Sequence, residues 1–268
     1  MQFHDAFAPG AHLSESFQAL KRHPASLLVG AVLVGFVSAG PNAMARGLGQ
    51  LAETAGDNVD LGLAAALLAV VLLLTLLGWF AQCWLTPGWL RVQARALDPQ
   101  GREDVSLLFS GGDCFGRMVG WTTLSGTITL GIVLIALLCG VVTGGAVLAV
   151  TGGSMTDLEG AGVAGLLVGL GMSVLVGVPS LVYVSLGMAL GTHALVLEGL
   201  SPMDALSRSW DLVAGNRTSL LFFLLVVGLV NFVGFLMCCI GGLPAGIVTN
   251  LATTRGWILL TQGAQAKV

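Results

Sequence analysis

The distribution of charge constrains this chain more than any other feature. Five stretches contain no Asp, Glu, Lys or Arg: residues 23–45, 61–90, 118–156, 160–197 and 218–254. A helix needs about 20 apolar residues, at roughly 1.5 Å per residue, to cross the hydrocarbon core of a bilayer. Each stretch is long enough for at least one crossing, so the sequence predicts an all-α, polytopic transmembrane helical bundle.

Composition narrows the classes of partner. Hydrophobic residues make up 55% of the chain and charged residues 9%, whereas a soluble domain carries about 25% charged residues. The net charge is only −3 and no run of Lys or Arg occurs, so nucleic acid is not an expected partner. Membrane lipids, a second copy of the chain or another membrane protein are the partners that this composition favours. No cysteine or histidine has metal-ligand spacing, so no metal or other cofactor is expected.

Proline and glycine divide the five stretches into six predicted spans. The spans cover residues 25–44, 61–85, 118–142, 161–190, 218–238 and 243–260. The second is expected to end at Thr86-Pro87-Gly88 and the third at Thr143-Gly144-Gly145. The fourth apolar run is too long for one straight crossing, and Pro179 predicts a kink within it. All six spans form one integral membrane domain, residues 1–268.

The basic residues predict the orientation of these spans. With six crossings, ten of the eleven Lys and Arg residues fall on the side of both termini, and only Arg46 falls on the other. Cytoplasmic loops carry an excess of Lys and Arg. The sequence therefore predicts a multi-pass protein with both termini in the cytoplasm.

Three segments that precede predicted spans resemble one another. Residues 13–28 and 206–221 align without gaps over sixteen positions, and residues 106–117 form a weaker third copy. This pattern predicts three repeated helical hairpins, each preceded by a short interfacial helix. Phe17, Phe109 and Trp210 would then be interfacial anchors in the headgroup region. A chance match between apolar segments rich in Ser and Leu explains the alignment equally well.

The chain also resembles a known group of proteins, and several short motifs carry the resemblance. The matching elements are Glu198-Gly199, Ala205, Ser209-Trp210, Asn216 and Leu220-Leu221, with further matches at Leu107 to Arg117 and at Asn231 to Pro244. They are similar to the membrane domain found beside some glycerophosphoryl diester phosphodiesterases and to many uncharacterised bacterial integral membrane proteins. The resemblance implies a six-helix bundle in the bacterial inner membrane. It supplies no agreed activity and no catalytic residues.

Small residues recur every four positions along the predicted fourth span. They are Ala161, Gly165, Gly169, Ser173 and Gly177. Such a stripe lets two helices approach closely. We interpret it as a helix-packing surface inside the bundle, with Ala31, Gly35 and Ala39 of the first span as a partner stripe. A contact between two copies of the chain is the alternative.

Polar residues inside the spans are few. Asn231 and Asn250 are the strongest, and we expect them to hydrogen-bond across the last hairpin as a packing device. Lining a polar pathway is the alternative. Arg255 is expected to extend its charged end to the interface. His193 and Glu198 are five residues apart, which does not place them on one helical face, so the pair is not expected to be catalytic.

Three of the five cysteines are predicted at the outer ends of helices. They are Cys139, Cys238 and Cys239. Free cysteine behaves as a small buried residue, and this is the expectation for all five. A disulfide among these three in an oxidising periplasm is the alternative.

The scarcity of ionisable residues within the spans predicts the class of function. Ionisable residues in a membrane are costly and mark functional sites. We therefore expect a non-catalytic protein that acts as a scaffold or as a partner- or lipid-binding subunit. The alternative is a channel or transporter for a small, weakly polar solute. The glycine-rich fourth span and the two asparagines favour this alternative.

Overall fold

The computed structural model describes residues 9–55, 61–98, 100–101, 104–151, 158–214 and 217–265, and these are helical without a strand. The elements in chain order are α1 (Pro9–Arg22), α2 (Pro24–Ala55), α3 (Leu61–Leu97), a 3₁₀ helix (Val105–Cys114), α4 (Phe115–Thr151), α5 (Leu158–Met188), α6 (Gly191–Leu197), α7 (Pro202–Val213), α8 (Arg217–Leu236) and α9 (Cys238–Gln265). The prediction of an all-α fold is confirmed.

Four segments of the described chain are long and apolar enough to cross a membrane. They are Ala65–Leu97, Val105–Val150, Gly162–Leu197 and Arg217–Leu236. A fifth is obtained if Gly10–Arg22 and Pro24–Gly40, which meet at 101°, count as one bent span. The structure thus provides four or five candidate spans where the sequence predicted six. The predicted sixth lies in α9, where Asn250, Arg255 and several threonines lower the hydropathy.

The long helices pack in pairs. Helix α2 packs on α3, α4 on α5, and α8 on α9. A short helical segment precedes each pair: α1, the 3₁₀ helix and α7. At the start of the 3₁₀ helix, Asp104 accepts hydrogen bonds from the side chain and the backbone of Ser106, and these bonds lower the pKa of the Asp104 carboxyl.

Three helices continue well past their predicted ends. Helix α2, predicted to end at residue 44, runs to Ala55. Helix α3 passes through Pro87 to Leu97, because contacts hold the residues that follow the proline: Trp89 lies against Gly30, and Gly88 lies against the backbone of Leu108. Helix α4 passes through Gly144 and Gly145 to Thr151. The helix propensity lost at Gly144, about 1 kcal/mol relative to alanine, is offset by its close contact with α5.

The long apolar run of the fourth span is interrupted after Met188, beyond Pro179, at which the kink was predicted. Helix α5 is continuous through Pro179 to Met188, and the break lies at the turn before α6. The backbone N–H of Leu190, which the break frees, donates to Ser209 Oγ of α7 at 3.3 Å. A residue remote in sequence therefore fixes the position of the break.

Most of the buried core lies at one end of the bundle, which we call the base. The base comprises residues 83–97 of α3, the 3₁₀ helix, the beginning of α4, α6, α7, and the parts of α1, α2, α5, α8 and α9 that pack on them. Its largest buried side chains include Trp257, Phe223, Leu190, Leu195 and Leu108.

A second region, the arm, consists of residues 130–151 of α4 and 158–178 of α5. These two stretches pack on each other, and their large side chains point outward. Leu138, Val141 and Leu175, for example, are each more than 60% exposed. Apolar side chains exposed along a long helix are those expected to face lipid.

Candidate functional site

A cleft of about 630 Å³ lies between α3 and α4, with Thr192 of α6 contributing to its wall. Cys83, Met118 and Trp121, all buried, form its floor. The volume falls within the roughly 300–1,000 Å³ of small-molecule sites. Its position within two candidate spans makes it the strongest candidate site in the part of the chain that the structure describes.

Four hydroxyl groups along the cleft have their hydrogens engaged. Each hydroxyl donates to a backbone carbonyl of its own helix: Thr86 to Gln82 at 2.7 Å, Thr122 to Met118 at 2.9 Å, Ser125 to Thr122 at 3.2 Å and Thr129 to Ser125 at 2.8 Å. A hydroxyl has one hydrogen and two lone pairs. Their oxygens therefore face the cleft mainly as hydrogen-bond acceptors.

The remaining wall is uncharged. Among the described residues that line the cleft there is no Asp, Glu, Lys, Arg or His. Gln82 adds an exposed amide, and Trp79 and Trp121 add aromatic surface. Towards the arm the lining becomes apolar, at Leu130 and Val133. The cleft thus combines an acceptor-rich end at the base with an apolar end at the arm.

A second polar group, which we call the base cluster, consists of Gln93, His193 and Thr254. Thr254 Oγ1 donates to Gln93 Oε1 at 2.9 Å and lies 3.3 Å from His193 Nε2. The same hydroxyl also lies 3.1 Å from Asn250 O of its own helix, so Thr254 has polar neighbours on α3, α6 and α9. The His193 ring stacks on Trp257, and none of the three residues is more than 7% exposed.

The base cluster links helices that are distant in sequence, and it is closed to solvent. Gln93 lies on α3, His193 on α6 and Thr254 on α9. Gln93 Nε2 and His193 Nδ1 have no hydrogen-bond partner among the described residues. Thr254 is fully buried and its hydroxyl is engaged. The cluster therefore holds three helices together but offers no reactive group to a substrate.

Charged residues at the rim of the base form ion pairs. The pairs are Arg91 with Asp113 at 2.6 Å, Arg208 with Glu198 at 3.4 Å, and Arg255 with Glu15. Glu198 thus pairs with Arg208, and His193 bonds to Thr254 instead. The sequence predicted only that the charged end of Arg255 extends to the interface. In the structure, its ion pair with Glu15 also connects α9 to α1.

The two asparagines of the last hairpin do not meet. Asn231 Nδ2 donates to Thr249 Oγ1 at 3.0 Å, whereas Asn250 Nδ2 donates to Gly246 O of its own helix at 2.8 Å and is exposed. One residue corresponds to about 100° around a helix, so when Thr249 faces α8, Asn250 faces away. The expected Asn231–Asn250 hydrogen bond is wrong, and the two residues share no polar lining.

The small-residue stripe of α5 lies against α4 in the arm. Gly165, Gly169 and Ser173 face Gly140 and Gly144. A Cβ added at Gly144 would lie 2.7 Å from Gly165 O, and one added at Gly169 would lie 2.7 Å from Gly140 O.

The lower end of the stripe and the first span differ in their surroundings. A Cβ at Gly177 would lie 3.0 Å from Ala136 Cβ, which extends the contact with α4. The expected partner stripe on the first span is not used, since nothing lies within 4 Å of a Cβ at Gly35.

The three proposed interfacial anchors differ in their surroundings. Phe17 and Phe109 are 49% and 60% exposed. Trp210 is only partly exposed: its ring lies against Gly187 and is tilted by 58° to the ring of Tyr183, with the two ring centroids 5.4 Å apart. Trp210 therefore packs against α5. The contact between a tryptophan and a remote glycine leaves no local sequence signal, which is why sequence reasoning missed it.

The described cysteines are free thiols. Cys83 and Cys114 are buried and Cys139 is partly exposed. The side chains of Cys238 and Cys239 lie outside the described residues, so whether these two cysteines are reduced or form a disulfide stays a prediction. Where the chain is described, no three His, Cys, Asp or Glu side chains come together as metal ligands.

Comparison with known proteins assigns the chain to a protein family. A family model described as a domain of unknown function, DUF7847, matches residues 115–254, just over half of the chain. The matched region runs from the start of α4 to Thr254 of the base cluster, and the chain belongs to this family. Searches of curated proteins and of solved structures found no match.

Proposed function

We propose that this chain, a member of the DUF7847 family, is a non-catalytic integral membrane protein. It acts as a scaffold or as a partner- or lipid-binding subunit. The observation that carries the proposal is the closure of the base. Helices α3, α4, α6, α7, α8 and α9 meet there around large buried side chains, including Trp121, Trp257 and Phe223, which fill the space a pathway would need.

The polar residues argue against a conduit. A pore needs a continuous polar lining. Asn231 bonds within its own hairpin, Asn250 faces outward, and the base cluster is enclosed by packed side chains. In the arm, glycine contacts bring the backbones of α4 and α5 close together, and the groove that remains beside them has a mainly apolar lining. These arrangements favour the scaffold or binding subunit over a channel or transporter.

The contacts of the ionisable side chains support a non-catalytic role. A general acid or base must reach the proton that it transfers. His193 is enclosed with Thr254, and the rim carboxylates Asp113, Glu198 and Glu15 are each engaged by an arginine.

The six-span topology with both termini in the cytoplasm of a bacterial inner membrane is part of the proposal. The pairing of α8 with α9 supports a third hairpin, and α1, the 3₁₀ helix and α7 stand where the three repeated units require a short helix. Arg91, Arg117, Arg208 and Arg255 make contacts at the base. An end rich in arginine is the end expected to face the cytoplasm.

Liposome flux of the purified full-length chain tests the proposal. We expect no flux of ions or small neutral solutes above that of protein-free vesicles, either for the wild type or for the double variant Asn231→Leu/Asn250→Leu. Wild-type flux that the double variant removes would overturn the scaffold proposal and establish a conduit.

A second measurement tests directly whether the protein binds a lipid or a partner. Native mass spectrometry of protein released from its own membrane in mild detergent is expected to show mass above the 27.4 kDa of the chain. The added mass would be a bound lipid, a second copy or another subunit. A bare monomer at every detergent concentration would contradict the binding role.

A further inference from the structure

The cleft between α3 and α4 has the chemistry of a lipid-binding site. We propose that it binds an uncharged lipid whose head group carries hydroxyls, with the head at the base end and the chains directed along the arm. This inference rests on the lipid-binding part of the proposed function and specifies its ligand class.

The acceptor character of the cleft selects the head group. Thr86, Thr122, Ser125 and Thr129 have committed their hydrogens to helix carbonyls and offer lone pairs to the cleft. A ligand that complements them must bring hydrogen-bond donors, as the hydroxyls of a sugar or of a diacylglycerol do. Gln82 and Thr192 also line the cleft and can donate, and a hydroxyl head group satisfies both kinds of partner because it donates and accepts. A phosphate would bring acceptors and negative charge.

The absence of charge selects against ionised heads. No described residue that lines the cleft carries a charge, and an unpaired charge is costly where water is excluded. The arginines that could pair with a phosphate are engaged elsewhere: Arg91 with Asp113, and Arg117 with Gly199 O. The lining therefore fits a neutral ligand better than an anionic or cationic one.

The gradient of polarity gives the ligand its orientation and its chain. Thr122 near the base and Val133 towards the arm are eleven positions apart on α4, a rise of about 16 Å. Beyond the apolar end, Leu76 and Leu77 of α3 and Leu134 of α4 are exposed. A head held among the hydroxyls thus leaves its chains beside a surface already suited to lipid.

Gly126 allows the cleft to be filled without disturbing the helix packing. It lines the cleft, and a Cβ added there meets nothing within 4 Å. Gly126→Leu would place a side chain in the ligand's space. Gly131→Leu is the matched control, since Gly131 lies on the same helix, outside the lining, and also has open space around it.

Fluorescence quenching of the full chain in phosphatidylcholine nanodiscs tests the proposal. The probes are a diacylglycerol, a glycosyl diacylglycerol and a phosphatidic acid, all with the same brominated chains, which quench the cleft residues Trp79 and Trp121. We expect saturable quenching by the two uncharged lipids and at least about tenfold weaker quenching by phosphatidic acid. The saturable part is expected to fall in Trp79→Phe.

The variants locate the binding. Gly126→Leu is expected to weaken the uncharged lipids about tenfold or more, and Gly131→Leu to leave them unchanged. Ser125→Ala removes one acceptor and is expected to weaken binding about two- to tenfold. Thr127→Val is its control, since Thr127 makes the same bond to its own helix but lies outside the lining. Size-exclusion chromatography and circular dichroism establish that each variant is folded.

Three outcomes would overturn the proposal. Equal quenching by phosphatidic acid would reject the uncharged head group. Quenching that survives Gly126→Leu would place the lipid elsewhere. Competition by free glucose or glycerol as strong as by the lipids would make the ligand a soluble polyol. If the lipid does not bind and the liposomes show no flux, the scaffold role stands while the cleft assignment fails, so the two proposals are separable.

Discussion

In the base, several glycines face tryptophan rings from other helices, whereas in the arm most glycine contacts include the backbone of a single neighbouring helix. Gly191 lies against Trp121, and Gly187 lies against Trp210. In the arm, Gly144 lies against Gly165. One residue type thus makes room for the largest side chain in one region and for the backbone of a neighbouring helix in the other.

The difference shows where stability is concentrated. In the base, large apolar side chains from many helices are buried together, and interiors packed in this way tolerate little added volume. In the arm, lipid is as apolar as the helices, so only close backbone packing holds them together. We expect the base to determine whether the protein is folded and the arm to determine how far two helices separate.

The largest effect is expected for a change in the base. Gly191→Ala directs a Cβ into the buried ring of Trp121 and is expected to lower the free energy of unfolding by about 3 kcal/mol. Thermal unfolding in detergent measures it. The double variant Gly191→Ala/Trp121→Phe is expected to recover part of the loss, and Gly116→Ala, which has open space, is the control. Equal stability of Gly191→Ala and wild type would reject the role given to this contact.

A change in the arm is expected to alter shape more than stability. Gly144→Val introduces a side chain against Gly165 O, so the axes of α4 and α5 should move towards the roughly 8–10 Å usual for helices packed through side chains. Spin labels at positions 141 and 166, both exposed, measure the separation. Gly145→Val has open space and is the control. A large fall in melting temperature with no change in separation would reverse the comparison.

A change in the base cluster is expected to have an intermediate effect on the free energy of unfolding. Thr254→Val leaves Gln93 Oε1 and His193 Nε2 without their buried partner and is expected to cost about 1–2 kcal/mol. Thr253→Val is the control, since Thr253 bonds only to its own helix. Urea unfolding of both variants measures the difference. If the two variants lose equal stability, the cluster makes no contribution of its own.

The smallest effects are expected in the last hairpin. Asn231→Leu breaks the bond to Thr249 and is expected to cost about 0.6 kcal/mol, the usual size of an interhelical hydrogen bond in a membrane. Asn250→Leu breaks only a bond within its own helix at an exposed position, and no measurable loss is expected. The same unfolding assay compares the two, and a larger loss at Asn250 would contradict this assignment of faces.

The helices could be predicted from the sequence because apolar length is a local property. The charge-free runs located α2 to α5, α8 and α9, and the Ser201-Pro202 start of α7 is capped by its own serine. Helix ends were less predictable where the deciding contact is remote. Pro87 did not end α3, because Leu108 and Gly30 hold the residues that follow it.

The candidate site was harder to predict, for the same reason. The hydroxyl residues of the cleft look like ordinary helix residues in the sequence, since their pattern becomes a site only when α3 lies beside α4. The base cluster joins residues 61 and 161 positions apart. Asn231 was correctly identified as polar within a hairpin, but its partner depended on a rotation of about 100° between Thr249 and Asn250, which composition does not fix.

The hydrogen bond from Thr254 to Gln93 has a consequence for the order of events during synthesis. The two residues are 161 positions apart, and a ribosome adds about 5–20 residues per second. For about 8 to 32 seconds the amide of Gln93 is therefore in place before the hydroxyl that engages it exists. The helices made earlier therefore have an incomplete interior until α9 is made, so a chain truncated before Thr254 would retain its hydrophobic helices and lack the bond that joins α3 to α9.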